Sequence, residues 1–361
     1  MSTIALPSQP SPATSLSTPA LVVDLDVFEA NVAAMASMLQ GTGKVLRPHV
    51  KTHRTPELAR RQLGGPAVGI TCATVGEAEA MVEAGIADVL VANEVVDANK
   101  IGRLVGLARR ARIGVAVDDP DPTVALSRAA VGAGVEIDVL IDVDVLLHRC
   151  GVASATEAVR LAEVVDRAPG LRLRGIMGYE GRMRLKAEDR SARIAHAYAI
   201  LAEARLALLD AGFPVEVVSA AGTSTLREAI AEPIVTEIQA GVYSLMEPEL
   251  LNLGLPFQCA VAIRGTVISR HPGRIVLDLG RRVVGMEYGP PLPLQFNATH
   301  IAISDEHATI ELDGPLPALG SQLDFAPGQI RTTFNLHDHV WVSRGGRLVD
   351  RWPITARGSS Q

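Results

Sequence analysis

The chain has 361 residues, enough for about two domains, and 48% of them are hydrophobic against 20% charged. A net charge of −6 and an aromatic content of 3% exclude the cationic, stacking surfaces that nucleic acids and anionic membranes require. Cys72, Cys150 and Cys259 are too few and too scattered for a disulfide framework or a CxxC metal site, and no apolar run reaches the roughly 18 residues of a membrane helix.

Residues 1–19, MSTIALPSQPSPATSLSTP, are rich in Pro and Ser and lack a basic stretch followed by an apolar one, so they read as a flexible lead rather than a secretory signal. A cytoplasmic, reduced protein is expected. Residues 26–39 carry the helical period, with Phe28, Val32, Met35 and Leu39 on one stripe and Asp26 and Glu29 as a capping pair. Eight β-branched runs follow, at 45–50, 68–73, 88–93, 112–117, 136–143, 171–178, 215–220 and 234–240. Each is separated from the next by a helix-compatible segment. Near-continuous apolar strands alternating with helices imply parallel strands buried on both faces. Eight such units predict a (β/α)8 barrel over residues 20–252, with an open doubly wound sheet as the alternative. From 253 to 361 the pattern becomes all-β, with strand-like runs QCAVAIRGTVISR, GRIVLDLG, HATIELDG and HVWVSRGGRLVDRWPI and turn signals at Pro272-Gly273, Asp313-Gly314 and Gly345-Gly346. The fold class is therefore α/β, a barrel followed by a C-terminal β domain.

Barrel chemistry gathers at the C-terminal ends of the strands. The first strand ends at His49, Lys51 and His53, the fifth leads to His148 and Arg149, and the sixth ends at Gly178-Tyr179-Glu180. The seventh runs into SAAGTST (219–225), the eighth into QAGVY (239–243). A lysine at a strand end is commonly just a solvated charge, and a Gly-Thr turn is commonly just a turn. Paired Gly/Ser/Thr loops after strands seven and eight suit a phosphate. Together with a strand-one lysine they match what pyridoxal 5′-phosphate needs: a phosphate anchor and a covalent amine partner that also serves as acid or base.

The motifs TPALVVDLDVFEANV (18–32), RPHVKTH (47–53), TVGEAEAMVEAGIADVLVAN (74–93), HRCGV (148–152), GYEG (178–181), SAAGTST (219–225), EIQAGVY (237–243) and NLHDHVWVSRGGRLVDRWPITARG (335–358) cover nearly the whole chain. In that order they resemble the fold-type III pyridoxal-phosphate enzymes of the D-threonine aldolase and D-serine dehydratase group, relatives of alanine racemase. The resemblance implies that Lys51 carries the cofactor, Arg149 contacts its ring, and Tyr179 lies beside the ring. It assigns the phosphate to Gly222, Thr223, Gly241, Val242 and Tyr243. His49 and His53 are either supporting partners or satisfied structural histidines. The implied activity is cleavage or elimination at Cβ of a β-hydroxy-D-amino acid by a homodimer whose active site lies at the subunit interface.

The resemblance breaks at the metal. Members of the group hold a divalent cation with a His-x-Cys or His/Asp pair shortly before an NLHD-type motif, where this chain has Gln329 and Arg331. Glutamine is a poor ligand for such an ion and arginine repels it. His337 and His339 could face one ion from a single strand, but His337 belongs to the tail pattern of the metal-binding relatives. Relatives also carry histidines after the strand-six tyrosine, where this chain has Arg182, Arg184 and Leu185. The expectation is that metal-assisted β-chemistry is absent or reworked. Arg182 and Arg331 either bind an anionic group of the substrate or form salt bridges with neighbours such as Glu180 or Asp338. Metal-independent racemisation is the alternative function, with Tyr288, the only tyrosine of the β domain, as second acid/base or simply a buried ring. A non-catalytic cofactor carrier is a third reading, disfavoured by the β domain.

Overall fold

Val45–Leu46, Ile70–Cys72, Asp88–Glu94, Arg112–Val117, Ile137–Asp142, Leu171–Gly178, Val217–Ala220 and Glu237–Ile238 form one eight-stranded sheet in the computed structural model, which describes residues 11–12, 16–181 and 188–361. All the ladders within it are parallel. The sheet curls back on itself. Leu46 N donates to Pro66 O at 2.8 Å, Val68 N to Leu46 O at 3.0 Å and Thr71 N to Pro48 O at 3.0 Å, so the first strand meets the second. The eight runs read from the sequence are these eight strands, and the fold is a barrel rather than an open sheet. The first run is shorter than expected. Regular pairing stops at Leu46, because Pro48 has no amide to donate, and the chain passes into a 3-10 turn at Val50–Thr52.

Local signals explain the helices between the strands. Thr74, Asp97, Asp119 and Ser154 each accept a backbone N–H with the side chain, opening helices Val75–Glu83, Ala98–Leu107, Pro120–Ala133 and Ala155–Asp166. Inside the barrel Leu90, Ala116, Leu140 and Met177 pack together, with Ala92 and Val217 against them. Gly175 is obligatory in the sixth strand. Its φ is +146°, and a Cβ there would lie 2.0 Å from the Val217 carbonyl oxygen of the seventh strand.

The N-terminal end of the barrel is a network of ion pairs around a cavity of about 250 Å³. Arg47 pairs with Asp88 and, at 2.8 Å, with Glu237. Asp138 takes Arg112 at 2.7 Å, Arg172 at 2.7 Å and Arg174 at 3.1 Å. These strand-start charges are mutually satisfied, whereas the opposite mouth is not so balanced.

This barrel unit comprises Ala36–Lys51, Ala59–Gly241 and Gly358–Gln361; a second unit comprises Met1–Met35, Thr52–Leu58 and Val242–Arg357. These compact units do not follow the expected division at 20–252 and 253–361. Ala20–Asp24 is a strand of the second unit's sheet, antiparallel to Val261–His271 and parallel to His339–Arg344. The last four residues return to the barrel, where Gly76 N donates to Gln361 O at 2.7 Å and the Thr74 hydroxyl to Ser359 O at 2.6 Å.

The expected flexible lead is also corrected at its end. Leu16 is buried, and the Thr18 hydroxyl donates to Asp278 at 2.6 Å. Asp26 and Glu29 do not cap their helix. Asp24 takes the Val27 N–H at 3.1 Å, while Asp26 and Glu29 each hold Arg344 at 2.8 Å. In the second unit the strands Val261–His271, Arg274–Leu277, Ala308–Glu311, His339–Arg344 and Arg347–Pro353 fall where the sequence placed them. Gly345 and Gly346, at φ +55° and +71°, make the tight hairpin between the last two. His300–Ile303 and Gln322–Ala326 are further strands without a clear apolar pattern.

Removing the cation of a buried pair strands its carboxylate. Glu237 has only 4% of its side chain exposed and Arg47 13%. Arg47→Met is expected to lower stability by about 3–5 kcal/mol, read as a fall in the urea midpoint. An unchanged midpoint would show that the ring of charges contributes nothing.

Candidate active site

In the barrel unit three of the predicted residues converge at the C-terminal mouth. Lys51, from the 3-10 turn after the first strand, carries its amine 5.6 Å from the centre of the Tyr179 ring. Tyr179 directly follows the sixth strand. Gly222, just past the seventh strand, faces the same ring, because a Cβ on it would meet the ring edge at 3.3 Å. A side chain at 222 would thus crowd the aromatic face, and glycine leaves that approach open. Thr223–Thr225 continues as a 3-10 turn. Gly241 lies three residues after the eighth strand.

Arg149 joins from the fifth strand's loop. It shares the wall of a small cavity with Asp142, Asp144, Cys150 and Tyr179. The loop is shaped by its own acids: Asp144 takes the His148 amide at 2.9 Å and the ring Nδ1 at 3.0 Å. His148 itself is exposed at φ +53°, and Asp118 takes the Gly151 N–H at 3.0 Å.

Strand-end carboxyls that sequence reasoning missed surround this arginine. Glu94 ends the third strand, Asp118 follows the fourth and Asp142 ends the fifth. Burial pushes the Asp142 carboxyl up to about 8, helped by repulsion and a shared hydrogen bond with Glu94, while Arg149 pulls the other way. Burial and a hydrogen bond to Glu94 also push the Cys150 thiol up to about 11. Glu94, Asp118 and Cys150 form the one group of three potential metal donors among the described residues. The missed signal was positional: an acid as the last residue of an apolar strand, as in DVLVANE and IDVLID.

Other predicted residues lie elsewhere or are differently engaged. His49 is buried in the barrel unit, with backbone pairing to Thr71. His53 belongs to the second unit, fully buried, its Nδ1 accepting the Thr55 amide at 3.1 Å and its ring edge-on to Phe334. Val242 and Tyr243 belong to the second unit, and Tyr243 is fully buried with its ring 5.5 Å from Phe257. Arg182, Arg184 and Leu185 lie outside the described residues.

Residues 23–247 match the family pattern of the alanine racemase N-terminal domain, and residues 260–343 that of a putative serine dehydratase domain. The chain belongs to the alanine racemase N-terminal domain family. It is 37% identical to a D-threonine aldolase of Arthrobacter sp over 98% of this chain and 97% of that one. It is 33% identical to a 3-hydroxy-D-aspartate aldolase of Paracoccus denitrificans, covering 95% and 92% of the two chains. Among solved structures, D-threonine aldolase from Filomicrobium marinum superposes with a TM-score of 0.94 at 37% identity, covering 99% of this chain and all of that one. D-threo-3-hydroxyaspartate dehydratase from Delftia sp. HT23 superposes with a TM-score of 0.83 at 26% identity, covering 95% of this chain and 98% of that one.

The second unit of this family member bears on the metal. Gln329 caps the helix Ile330–Leu336, its side-chain oxygen accepting the Thr332 amide at 2.7 Å. The Arg331 guanidinium donates to the Tyr288 hydroxyl at 3.1 Å, lies over its ring, and reaches the buried Glu247 carboxylate at 3.9 Å. Neither donor suits a divalent cation: one oxygen is committed to a helix cap and the other side chain is itself a cation. The expected salt bridge of Arg331 with Asp338 is replaced by Glu247, since Asp338 pairs with Arg357 at 3.0 Å. His337 and His339 do not share a strand face. His337 ends the short helix with Nε2 against the Val283 carbonyl at 2.8 Å, and His339 begins the next strand. Tyr288 is not a buried ring but is 43% exposed.

The raised Asp142 carboxyl makes stability depend on pH. The folded protein keeps this proton up to about pH 8, whereas an unfolded chain releases it near the ordinary value of 3.8. Stability is therefore lost as pH rises between those limits. Asp142→Asn keeps the bond to Glu94 without the titration, so its melting temperature should gain on wild type steadily across that window. Parallel curves for the two proteins would contradict this.

Proposed function

We propose that this chain is a pyridoxal 5′-phosphate-dependent lyase that cleaves or eliminates at Cβ of a β-hydroxy-D-amino acid. One observation carries the reading: the Lys51 amine stands over the Tyr179 ring, and Gly222 opens the same ring to a Ser/Thr turn. An amine, a flat aromatic face and a phosphate-type turn at three strand ends fit a flat, phosphorylated aldehyde. The relatives' names supply the substrate class. When bound, the cofactor would supply an electron sink for charge released at Cα.

The chain's own residues have separable tasks. Lys51 provides the covalent amine and then holds or moves the proton at Cα. Tyr179 orients the ring plane. Arg149 directs its guanidinium to the ring, and the acids around it limit how far that charge can move. Gly222, Thr223 and Gly241 would hold the phosphate from the barrel unit; Val242 and Tyr243, assigned the same role by the resemblance, belong to the second unit. No step is assigned to a divalent ion at Gln329 and Arg331, because their chemistry does not fit one. Metal-independent racemisation is the second reading, favoured by that same pair. The assembly proposed is a cytoplasmic homodimer with an amino-acid substrate, and Arg182 and Arg331 are its candidate contacts to an anionic group.

Two measurements test this. The purified protein should absorb near roughly 420 nm and lose the band on borohydride treatment and in Lys51→Ala; a colourless protein unmoved by added cofactor would refute the assignment. A panel of D- and L-amino acids, with and without EDTA, separates the reactions. Aldehyde with glycine marks aldol cleavage, an α-keto acid marks elimination, and loss of optical rotation alone marks racemisation. Turnover unaffected by EDTA is expected, and complete loss would return a metal to the mechanism. Arg331→Ala should weaken acidic D-amino acids more than neutral ones, and an equal loss for both would rule out the anion contact.

A further inference from the structure

The turn that follows the seventh barrel strand is held from behind by one buried carboxyl. Glu180, two residues past the sixth strand, is 3% exposed. Its Oε1 accepts the Thr225 hydroxyl and, at 3.4 Å, the Tyr198 hydroxyl, and the carboxyl also takes the Ala221 amide. Thr225 extends the link, its own oxygen accepting the Gly222 N–H at 3.3 Å. Ala221 sits at φ +69°, a left-handed conformation that costs a non-glycine residue about 1–2 kcal/mol. A fixed partner is needed to keep it there, and Glu180 is in contact with both ends of the turn.

The second oxygen, Oε2, is buried and has no hydrogen-bond partner among the described residues. A carboxylate in that state is costly, since half of its charge has lost water without replacement. It would also oppose any anion arriving at residues 222–225. A neutral acid avoids both penalties: the carbonyl oxygen keeps its donors and the proton resides on Oε2. Burial pushes this carboxyl above its ordinary value, with the hydrogen bonds acting in the opposite sense.

Among the described residues, the titratable groups on the elements around Glu180 do not supply a counter-charge for it. Tyr198 and Arg190 come from helix Arg190–Asp210 and Glu228 from helix Leu226–Ala231. Arg190 is engaged by Glu228 and by the Ser224 carbonyl. Tyr179 precedes Glu180 in the chain with Lys51 over its ring, and Asp142 and Arg149 line the cavity that Tyr179 borders.

We propose that Glu180 is the positioning residue of the 221–225 turn and that it serves as the uncharged acid, so that a phosphate dianion and the Glu180 proton are held together. The inference rests on the phosphate reading of that turn. Once Glu180 ionises, the turn loses preference for a phosphorylated ligand.

The test is a titration of the full-length, cofactor-stripped chain with pyridoxal 5′-phosphate and with pyridoxal, which lacks the phosphate. Dissociation constants are followed by absorbance from about pH 7 to about pH 9.5 in wild type, Glu180→Gln and Glu180→Ala. The preference for the phosphorylated ligand should fall in wild type by up to roughly tenfold per pH unit above the Glu180 titration. It should stay level in Glu180→Gln, which keeps the acceptor but cannot ionise. In Glu180→Ala, which releases the turn, it should be low throughout. Matching profiles for wild type and Glu180→Gln would overturn the proposal, as would a Glu180→Gln variant that prefers the phosphate more than wild type does at neutral pH. If a variant does not fold, calorimetry on wild type alone decides, in two alkaline buffers of different ionisation enthalpy. Proton uptake with the phosphorylated ligand and none with pyridoxal supports the inference, and equal proton counts reject it. Wild type that binds both ligands equally at neutral pH would instead refute the phosphate turn itself.

Discussion

Closure of the sheet is the constraint on which the site depends. Lys51, Arg149, Tyr179 and Gly222 are spread over nearly half of the chain, and no local structure could assemble them. The bonds from Leu46, Val68 and Thr71 across to Pro66, Leu46 and Pro48 bring the first strand against the second. With the ring closed and the strands parallel, every strand ends at the same mouth. Pro48 has a part in this. By ending the first strand's regular pairing it releases the chain into the turn that lifts Lys51 over Tyr179.

The two ends of the barrel treat charge in opposite ways. At the N-terminal end arginines and acids from different strands neutralise one another, and the ion pairs act as a lid of the core. At the C-terminal end the acids outnumber the described cations that meet them. Asp142 shares a hydrogen bond with Glu94 beside a single arginine, and Glu180 has a bare buried oxygen. Groups left in that condition shift their proton affinities, and such groups collect where chemistry occurs rather than where stability is made. The paired end is built to stay still and the other to respond to a ligand.

In the second unit the side chains at 329 and 331 are engaged by their own neighbours. Gln329 still opens its helix and Arg331 is held by Tyr288 and Glu247. The backbone superposes closely on an aldolase of known structure, while the Gln329 oxygen is committed to a helix cap and Arg331 is itself a cation.

Much was legible in the sequence because barrel strands carry their own signature. Each is a short apolar run, and a closed parallel barrel leaves no freedom in their order, so eight runs sufficed to place eight strands and their ends. Lys51, Tyr179 and Gly222 were placed near one mouth by strand position for that reason. The domain boundary was not legible, because Ala20–Asp24 reads as any apolar strand and nothing local reveals that its partners are Val261–His271 and His339–Arg344. Nor was the capping of the first helix: Asp24 and Asp26 are interchangeable by composition, and only the approach of Arg344 separates them. The sequence by itself determined the barrel and the order of its strands, since these follow from residue type and spacing. Tertiary structure alone decided which acids are pushed above their ordinary values, because burial and the nearness of Glu94 to Asp142, or the burial of Glu180 behind its turn, exist only once distant strands stand side by side.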